Sequence, residues 1–438
     1  MNSAFTRKIN TLDRSQLITV AKKLGITGLT NKRKDDIRKG ILAFVRKRSN
    51  SVSTLENIKL PMVANKRQVS RTKSEGSIRK STRRPQTAVP SGKAFAMDQC
   101  YYPPVKRLIA IGDLHGDLIA TIKALKLAGV IDVNIPNDTQ DITKIKWIGG
   151  NTYVVQLGDQ VDRVRPSGLF NSLCTDNDPD LVEDEGSDLK IITLFNRLHS
   201  EARKAGGACI SVLGNHEIMN VEGDFRYVSP KEFREFGNFF NAPKSQVNSQ
   251  YPYGYNERKE CFKPGGALAK KLGDTRYSVV QVGSWLFLHG GITSHIAGKY
   301  TLGEINSIVR KYLYGESNDL LDAQMDDIYH NDDDTQSPFW SRIYSDAEEF
   351  DSSSKREFLK TLRMLNLRNN HSTQIKGMIM GHSPQFMYNM GLNSACDNRI
   401  WRVDIGMSRA FGKVDSPLRK VQVLQILDDN KFSILREK

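Results

Sequence analysis

Five short motifs contain the side chains of this sequence that could bind metal ions or transfer protons. Each follows an apolar run and places a glycine beside polar residues. In chain order they are Gly112-Asp113-Leu114-His115-Gly116, Gly158-Asp159-Gln160-Val161-Asp162-Arg163, Gly214-Asn215-His216-Glu217, His289-Gly290-Gly291 and Gly381-His382. One such motif could be a simple turn, but five in succession indicate a shared site.

The residue types in these motifs suit divalent cations. Aspartate, histidine and asparagine without thiolates are ligands for manganese, iron or zinc. Hydrolysis of a phosphate monoester needs an activated water and a positive clamp on the developing charge, and two metal ions about 3.5–4 Å apart provide both. A carboxylate must bridge such ions, and Asp159 is the candidate because it lies between the other ligand groups in the sequence. We expect two divalent ions, manganese first, with iron or zinc as alternatives.

The apolar runs predict the elements that position the motifs. Short runs read as buried strands, and stretches such as 118–127 and 189–204 have helical spacing. Strands that alternate with helices and end in polar motifs indicate an α/β fold with its site at the strand ends. The strand-like runs are 108–111, 153–157, 208–213, 284–288 and 378–380.

Together the five motifs resemble those of the calcineurin-like metallophosphoesterases and, within them, the phosphoprotein phosphatases. The resemblance spans about residues 105–430 and implies a four-layer α/β/β/α sandwich, in a catalytic domain that we expect at 101–438. It implies a first metal ion held by Asp113, His115 and Asp159, and a second held by Asp159, Asn215, His289 and His382. It further implies that His216 protonates the leaving oxygen while Asp162 orients its imidazole. Arg163 and Asn215 would bind the substrate phosphate.

Further segments look most like the Shewanella-like branch of that family. They are Val155-Gln156-Leu157 before Gly158, Ser383-Pro384-Gln385 after His382, and Asp404-Ile405-Gly406-Met407-Ser408. In that branch a Trp-x-Arg segment lies between the fourth and fifth motifs, and Trp340-Ser341-Arg342 matches it. Arg342 is therefore predicted to be a second phosphate contact.

Two positions depart from the best-known serine/threonine phosphatases. Leu213 stands where those enzymes have arginine, and Val164 follows Arg163 where they have glycine. Related dinucleoside-polyphosphate hydrolases share the metal scaffold and also have leucine before the third motif. Such a hydrolase is the second candidate function beside a phosphatase of phosphorylated proteins.

The first 100 residues differ in composition from the rest. They hold 23 of the 64 Lys and Arg residues but only 6 of the 49 Asp and Glu residues. Apolar residues at helical spacing predict a basic helical hairpin over 1–50, which resembles SAP-like and Rho-N-terminal-like modules, and the polar stretch 51–100 predicts a disordered linker. Nucleic acid is a candidate partner for this arm, and protein docking is equally open. A third reading is therefore a nucleic-acid-associated protein with an inactive phosphatase-like domain.

Cysteine spacing and hydropathy predict the compartment. The five cysteines are an odd number and widely spaced, which indicates neither a disulfide framework nor a zinc ribbon. No apolar run at the N-terminus resembles a secretion signal, and none approaches the ~20 residues of a membrane helix. We expect an intracellular protein, cytoplasmic or nuclear, without a membrane partner.

Overall fold

The computed structural model describes Leu17, Ile37 and Ile41 and residues 100–165, 173–174, 181, 183–243, 251–330, 336–346, 351–369 and 372–437. The chain divides into two compact units, Met1–Ala88 and Val89–Lys438. In the first unit, Leu17, Ile37 and Ile41 are helical and buried. The rest of the predicted hairpin, and the predicted linker apart from Cys100, lie outside the described residues, so both stay predictions.

Two β-sheets form the centre of the second unit. Their strands are β1 (Tyr101–Tyr102), β2 (Arg107–Ile111), β3 (Tyr153–Gln156), β4 (Ala208–Ser211), β5 (Val279–Val282), β6 (Trp285–Leu288), β7 (Gly377–Met380), β8 (Asn393–Ala395), β9 (Ile400–Arg402), β10 (Gln422–Leu427) and β11 (Lys431–Arg436). One sheet has five strands in the order β11-β10-β2-β3-β4, and the other has six in the order β1-β5-β6-β7-β9-β8.

Helices fill most of the connections between these strands. The described residues of this unit contain the α-helices Leu118–Leu127, Asp188–Lys204, Asn215–Val221, Pro230–Phe239, Tyr255–Phe262, Ala267–Thr275, Ser294–Lys299, Leu302–Leu313, Asp319–Ile328 and Ser352–Arg368. Local signals begin several of them: Asp117 accepts a hydrogen bond from the Ala120 amide, and Ser229 and Glu232 form a capping box. No helix among the described residues combines the length and apolar character needed to cross a membrane.

The sheets pack face to face between two layers of helix. Successive residues of the six-stranded sheet alternate between two apolar clusters, because strand side chains alternate in direction. Val280 and Phe287 pack in the cluster of the five-stranded sheet, whereas Val279 and Leu286 pack in the cluster that contains Ile296, Ile305 and Phe358 from helices. The outer face of the five-stranded sheet is covered by apolar residues of Leu118–Leu127 and Asp188–Lys204. The four-layer α/β/β/α arrangement is thereby confirmed.

Parallel pairing brings the five motifs to one end of the sandwich. Strands β2, β3 and β4 are parallel, and so are β6 and β7. The motifs directly follow these five strands, so their side chains emerge at the same edge. A bridge from Val212 to Tyr277 links the end of β4 to the approach to β5, with the Leu213 amide donating to the Tyr277 carbonyl at 2.7 Å.

Candidate metal centre

Asp159 lies at the centre of the converging motifs. Its carboxylate belongs to two groups of possible ligands, His115–Asp159–His216 and Asp159–His289–His382. Within each group the ligand atoms lie within 4.8 Å of one another, and all five residues are buried. The shared carboxylate is where the sequence predicted a bridging ligand, although no metal ion is part of the structure and the roles stay predictions.

The first group gathers around His115. The His115 Nε2 lies 3.8 Å from Asp159 Oδ2 and 3.9 Å from Asp113 Oδ2. The other ring nitrogen, Nδ1, lies 3.3 Å from the Val161 carbonyl, which favours a proton on Nδ1 and a lone pair on Nε2. His216 Nε2 is 3.8 Å from Asp159 Oδ2 on the same side.

The second group contains two histidines whose lone pairs face each other. His289 Nδ1 is 2.7 Å from the Leu157 carbonyl, and His382 Nε2 is 3.1 Å from the Trp340 carbonyl, so each of these nitrogens carries the proton. The remaining nitrogens, His289 Nε2 and His382 Nδ1, are 3.1 Å apart. His289 Nε2 is also 2.8 Å from Asn215 Oδ1 and 3.3 Å from Asp159 Oδ2. Four electron-pair donors converge, which is an arrangement suited to a cation.

Buried carboxylates give the same indication. Asp113, Asp159 and Asp404 are each at most 2% exposed, and Oδ1 of Asp113 has no hydrogen-bond partner among the described residues. Burial, together with Asp404 and Asp159, raises the pKa of Asp113 well above its usual range. Burial alone would also raise the pKa of Asp159, but His289 and the neighbouring histidines lower this pKa well below its usual range. The raised pKa of Asp113 shows that these buried carboxyl groups lack a compensating positive charge, which a bound divalent ion would supply.

The backbone is strained at several of these residues. His115, Asp159, Asp162 and His382 have φ values of 43°, 50°, 76° and 70°. Such conformations are unfavourable for residues with a Cβ, by about 1–3 kcal/mol each, and they cluster at functional sites. The strain aims successive motif side chains into one volume.

Two glycines make room for ligands from neighbouring motifs. A Cβ on Gly214 would lie 2.0 Å from Asp159 Oδ1, and a Cβ on Gly381 would lie 2.2 Å from Asp113 Oδ1. Any larger residue would displace the carboxylate of another motif. The glycines predicted from the sequence as sharp turns therefore also permit close packing of the ligands.

His216 and Asp162 form the expected pair. The His216 Nδ1 lies 2.7 Å from Asp162 Oδ2, which leaves Nε2 facing the ligand cluster. Asp162 is oriented in turn by two residues that the motifs did not indicate. Asn220 Nδ2 donates to Asp162 Oδ1 at 2.8 Å, and Arg258 Nη2 lies 3.3 Å from the same oxygen.

Arg258 is completely buried beneath this pair. Besides Asp162, it contacts Asp188 Oδ2 at 2.7 Å and Asn220 Oδ1 at 2.8 Å. Its guanidinium also lies 5.0 Å from the ring centres of Phe236 and Phe262. The cation thus neutralises two buried carboxylates, and no motif in the sequence marked it.

Glu217 holds the loop that carries Asp159. Its carboxylate accepts hydrogen bonds from the amides of Asp159 at 3.0 Å, Gln160 at 2.7 Å and Gly214 at 2.6 Å. Burial raises its pKa to about 7. The sequence pattern placed Glu217 in the third motif without a role, and the structure gives it one in loop positioning.

Asp404 is a further residue to which the sequence pattern assigned no role. It is 1% exposed, Oδ1 accepts from the Gly406 amide at 2.8 Å, and Oδ2 has no hydrogen-bond partner in the described part of the chain. Burial raises its pKa to about 6. The one signal for Asp404 in the sequence was that its segment, which follows β9, resembles the Shewanella-like branch.

The predicted phosphate-binding arginines have different surroundings. Arg342 lies at the rim, where Nη1 donates to the His382 carbonyl at 2.9 Å and to Ser383 Oγ at 3.1 Å. Arg163 is 1% exposed, and its guanidinium lies 3.8 Å from Asp117 Oδ2. No ion pair joins Arg163 to Asp113 or Asp159 within the described ranges. The Arg163 guanidinium therefore lies beside Asp117, and its role in phosphate binding stays a prediction.

An unpredicted arginine does reach the cluster. Arg165 Nη2 lies 2.8 Å from both ring nitrogens of His115, so the guanidinium packs against the imidazole. The guanidinium carbon lies 5.2 Å from the ring centre of Tyr227 and 4.7 Å from that of Phe411. The only hint in the sequence was Val164, where the motif departs from the pattern with glycine.

Comparisons with known proteins show which family this chain is similar to. The family model described as calcineurin-like phosphoesterase matches residues 106–386. Shewanella-like protein phosphatase 2 of Arabidopsis thaliana is 31% identical over 340 residues, which cover 71% of this chain and 74% of the relative. Shewanella-like protein phosphatase 1 of Plasmodium berghei (strain Anka) is 26% identical over 333 residues, 75% of this chain and 74% of the relative. The crystal structure of a mutant cold-active protein tyrosine phosphatase is similar in fold, with a TM-score of 0.50 and 20% identity over 81% of this chain and 89% of that one.

Proposed function

This chain belongs to the calcineurin-like phosphoesterase family, in its Shewanella-like protein phosphatase branch, and we propose that it hydrolyses phosphate monoesters on proteins with two divalent metal ions that share Asp159. As a member of this branch it is a metal-dependent phosphoric monoester hydrolase. The observation that carries the two-metal proposal is the position of Asp159, whose carboxylate belongs to both ligand groups, as a bridging ligand must.

The ligands divide between the two ions around Asp159. Asp113 and His115 would complete the first site, and Asn215, His289 and His382 the second. The distances among these atoms and the orphaned Asp113 oxygen support that division. The oxygen and nitrogen donors suit manganese, which we propose as the working metal, and iron or zinc remain chemically suitable.

His216 would act as the general acid. When bound, the ions supply positive charge that activates a water molecule and neutralises the phosphate. The water oxygen bonds to phosphorus while the bond from phosphorus to the substrate oxygen breaks. The leaving oxygen takes a proton from His216 Nε2, and Asp162 at Nδ1 stabilises the imidazolium that donates it. The ring regains a proton from the attacking water.

Residues at the rim would hold the substrate phosphate. Arg342 donates to the His382 carbonyl, and Asn215 Oδ1 lies 2.8 Å from His289 Nε2; both positions beside predicted metal ligands support the proposed phosphate contacts. Arg163 is proposed for the same task, and its guanidinium lies 3.8 Å from Asp117 Oδ2.

The test compares substrates on one purified protein. We expect the full chain with manganese to hydrolyse p-nitrophenyl phosphate and phosphopeptides, and to turn over a diadenosine polyphosphate far more slowly. Asp159→Asn should remove most of the activity on both monoesters, and His216→Asn should remove most of the activity on phosphopeptides whose phosphate is carried by serine or threonine. His295→Asn is the matched control, because His295 is exposed and lies 3.2 Å from Asp327 rather than in the cluster.

Three outcomes would contradict the proposal. Unchanged hydrolysis by Asp159→Asn would remove the bridging carboxylate from the mechanism. Faster turnover of the diadenosine polyphosphate than of any phosphopeptide would favour the dinucleoside-polyphosphate hydrolase instead. Metal analysis of the purified protein should find two divalent ions per chain, and one ion would reject the shared site.

The basic N-terminal arm would serve in targeting. Its excess of Lys and Arg supports an attraction to polyanions, and we propose nucleic acid as the partner. Fluorescence anisotropy with a labelled oligonucleotide should show binding at low ionic strength that weakens steeply with salt, since phosphate contacts release counterions. Absence of binding at low salt would indicate a protein partner for the arm.

A further inference from the structure

We infer that a basic groove outside the metal centre docks a segment of the phosphoprotein substrate in which acidic residues flank one large apolar side chain. This docking groove has a volume of about 690 Å³ and lies between the N-terminal part of the helix Asp188–Lys204 and the helix Pro230–Phe239. None of the residues that line it belongs to the five motifs. The inference rests on the proposed phosphatase function and extends it to the part of the substrate beyond the phosphorylated residue.

Three apolar side chains line the docking groove. They are Ile142, Leu189 and Phe239, and the Phe239 side chain is 44% exposed. The ring of Phe239 packs edge-on against Phe240, which is itself 38% exposed, with 4.9 Å between the ring centres. Single exposed apolar residues are common, but apolar residues that line a concave surface of about 300–1,000 Å³ are typical of ligand sites. The groove therefore has room for a large apolar side chain of a partner.

Three basic side chains line the same groove, namely Lys190, Lys231 and Arg234. The Lys190 ammonium donates to Gln140 Oε1 at 2.7 Å, and the Lys231 ammonium donates to the Asp184 carbonyl at 2.7 Å. Both acceptors are neutral, so these hydrogen bonds position the two lysines without cancelling their charge. Beyond residue 100 the chain has nearly equal numbers of basic and acidic residues, so this cluster of cations is a local feature.

The two carboxyl groups that line the groove already have partners within the fold. Glu185 Oε2 accepts a hydrogen bond from the Leu118 amide at 2.8 Å, and Glu185 Oε1 forms a close ion pair with Arg409. Glu235 accepts from two amides in the first turn of the helix Asp188–Lys204, at 2.9 and 3.3 Å, and burial raises the pKa of Glu235 to about 8. The three cations therefore give the groove a net positive charge, which complements an acidic segment.

Glu185 also connects the docking groove with the proposed phosphate site. Its partner Arg409 donates to Asp117 Oδ2 at 3.0 Å, and the same oxygen lies 3.8 Å from Arg163 Nη2. Three successive contacts thus join the groove to an arginine that we propose for phosphate binding. A protein substrate is the partner that gains from this position, because a segment held in the groove raises the effective concentration of the phosphorylated residue at the metal centre.

The experiment measures the binding of two labelled, unphosphorylated peptides to the full-length protein by fluorescence anisotropy. In one peptide aspartates flank a phenylalanine on both sides. In the other, serine replaces the phenylalanine, so both peptides have the same charge and the same attraction to the basic N-terminal arm. We expect the phenylalanine peptide to bind about tenfold more tightly, which is typical of an aromatic anchor in a pocket.

Substitutions in the groove should remove this preference. Phe239→Ser should make the affinities of the two peptides equal. Lys190→Glu combined with Lys231→Glu should weaken binding of the phenylalanine peptide about tenfold and reduce its dependence on salt. If Phe239→Ser fails to fold, the lysine pair still tests the groove, because each new glutamate lies in the first turn of a helix, where negative charge is favourable.

The matched controls lie on the helix Ser352–Arg368. Leu359 is 42% exposed, nearly as much as Phe239, and Lys355 is an exposed lysine in the first turn of its helix, as Lys231 is. Neither Leu359 nor Lys355 lines the docking groove. Leu359→Ser and Lys355→Glu should leave the affinities of both peptides unchanged.

A second measurement tests whether the groove serves the substrate. Each peptide is joined to either end of one phosphopeptide through flexible linkers of graded length. The best substrate with the phenylalanine segment should have a KM about tenfold below that of its serine counterpart, and Phe239→Ser should remove the difference. Turnover of p-nitrophenyl phosphate, which is too small to reach the groove, should be the same in the groove variants as in the wild type.

Equal affinity of the wild type for the two peptides would overturn the inference. So would control variants that lose as much affinity as the groove variants. Binding in the groove with equal KM values for every pair of substrates would reject the substrate as its occupant. If the wild-type protein hydrolyses no monoester, the proposed function fails, but the anisotropy comparison still decides whether the groove binds an acidic segment.

Discussion

Replacing Arg258 by methionine should strongly destabilise the second unit, because the arginine is the buried cation between Asp162 and Asp188. It is 0% exposed and lies 2.7 Å from Asp188 Oδ2 and 3.3 Å from Asp162 Oδ1. Removing one partner from a buried ion pair leaves an uncompensated charge, which lowers the free energy of unfolding by about 3–5 kcal/mol. The methionine side chain still fills the space near Phe236 and Phe262, so lost packing contributes little.

A double substitution separates charge from packing. Asp188→Leu removes one carboxylate that the missing cation would leave unpaired, so Arg258→Met combined with Asp188→Leu should recover part of the loss. The coupling free energy from the cycle should be at least about 1 kcal/mol, since the two residues are in direct contact. Urea unfolding of the metal-free full-length chain, followed by tryptophan fluorescence, measures each free energy of unfolding.

The effect should also depend on pH. Burial, despite the nearby Arg258, raises the pKa of Asp188, and loss of Arg258 should raise it further. A carboxyl group with a raised pKa binds more protons in the folded state than in the unfolded state, so stability falls as pH rises through that range. The difference in the free energy of unfolding between the wild type and Arg258→Met should therefore be larger at pH 8 than at pH 5. A loss below about 1 kcal/mol, or purely additive single substitutions, would refute the charge argument.

Three further outcomes follow from the site and the core. Chelation should abolish hydrolysis and lower the unfolding temperature, and added manganese should restore both. A ligand present at a hundred times its Kd stabilises the folded state by about 2.7 kcal/mol. An unfolding temperature that does not change with chelator would contradict a metal centre. His216→Asn should lower kcat about 100- to 10,000-fold for alkyl phosphates but much less for p-nitrophenyl phosphate, because the p-nitrophenolate leaving group needs no proton. Equal losses of kcat for the two substrates would exclude His216 as the general acid. Burial lowers the pKa of His199 to about 4, so between pH 6.5 and 4 the unfolded state binds a proton that the folded state does not. The free energy of unfolding should therefore decrease by up to about 3 kcal/mol as the pH is lowered from 6.5 to 4. His199→Gln should flatten that dependence, and an unaltered slope would disprove the argument.

The sequence was most informative where a strand, a glycine and a ligand are adjacent in the chain. Parallel strands place their carboxyl ends together, so the position of Asp159 among the other motifs could be expected from their order along the chain. The alternation of strands and helices predicted an α/β fold, whereas the four layers were expected from the resemblance to the calcineurin-like family.

Residues that act from a distance could not be found in this way. Arg258 is separated from Asp162 by 96 positions and stands in no motif, and its burial depends on tertiary packing. Arg163 and Arg165 illustrate the same limit at short range. Both follow Asp162 closely, and which guanidinium faces the cluster depends on Asp117, Tyr227 and Phe411, which come from other parts of the chain.

The interlocking of Gly214 and Gly381 with the ligands of other motifs has a consequence for mutational tolerance. Neither residue has a side chain that could take part in chemistry, yet even a methyl group on either would occupy the space of a carboxylate from another motif. In a saturation-mutagenesis screen, alanine at these two positions should be depleted as severely as replacements of Asp159 itself. A functional map of this protein made from such a screen would therefore mark two residues that never touch substrate.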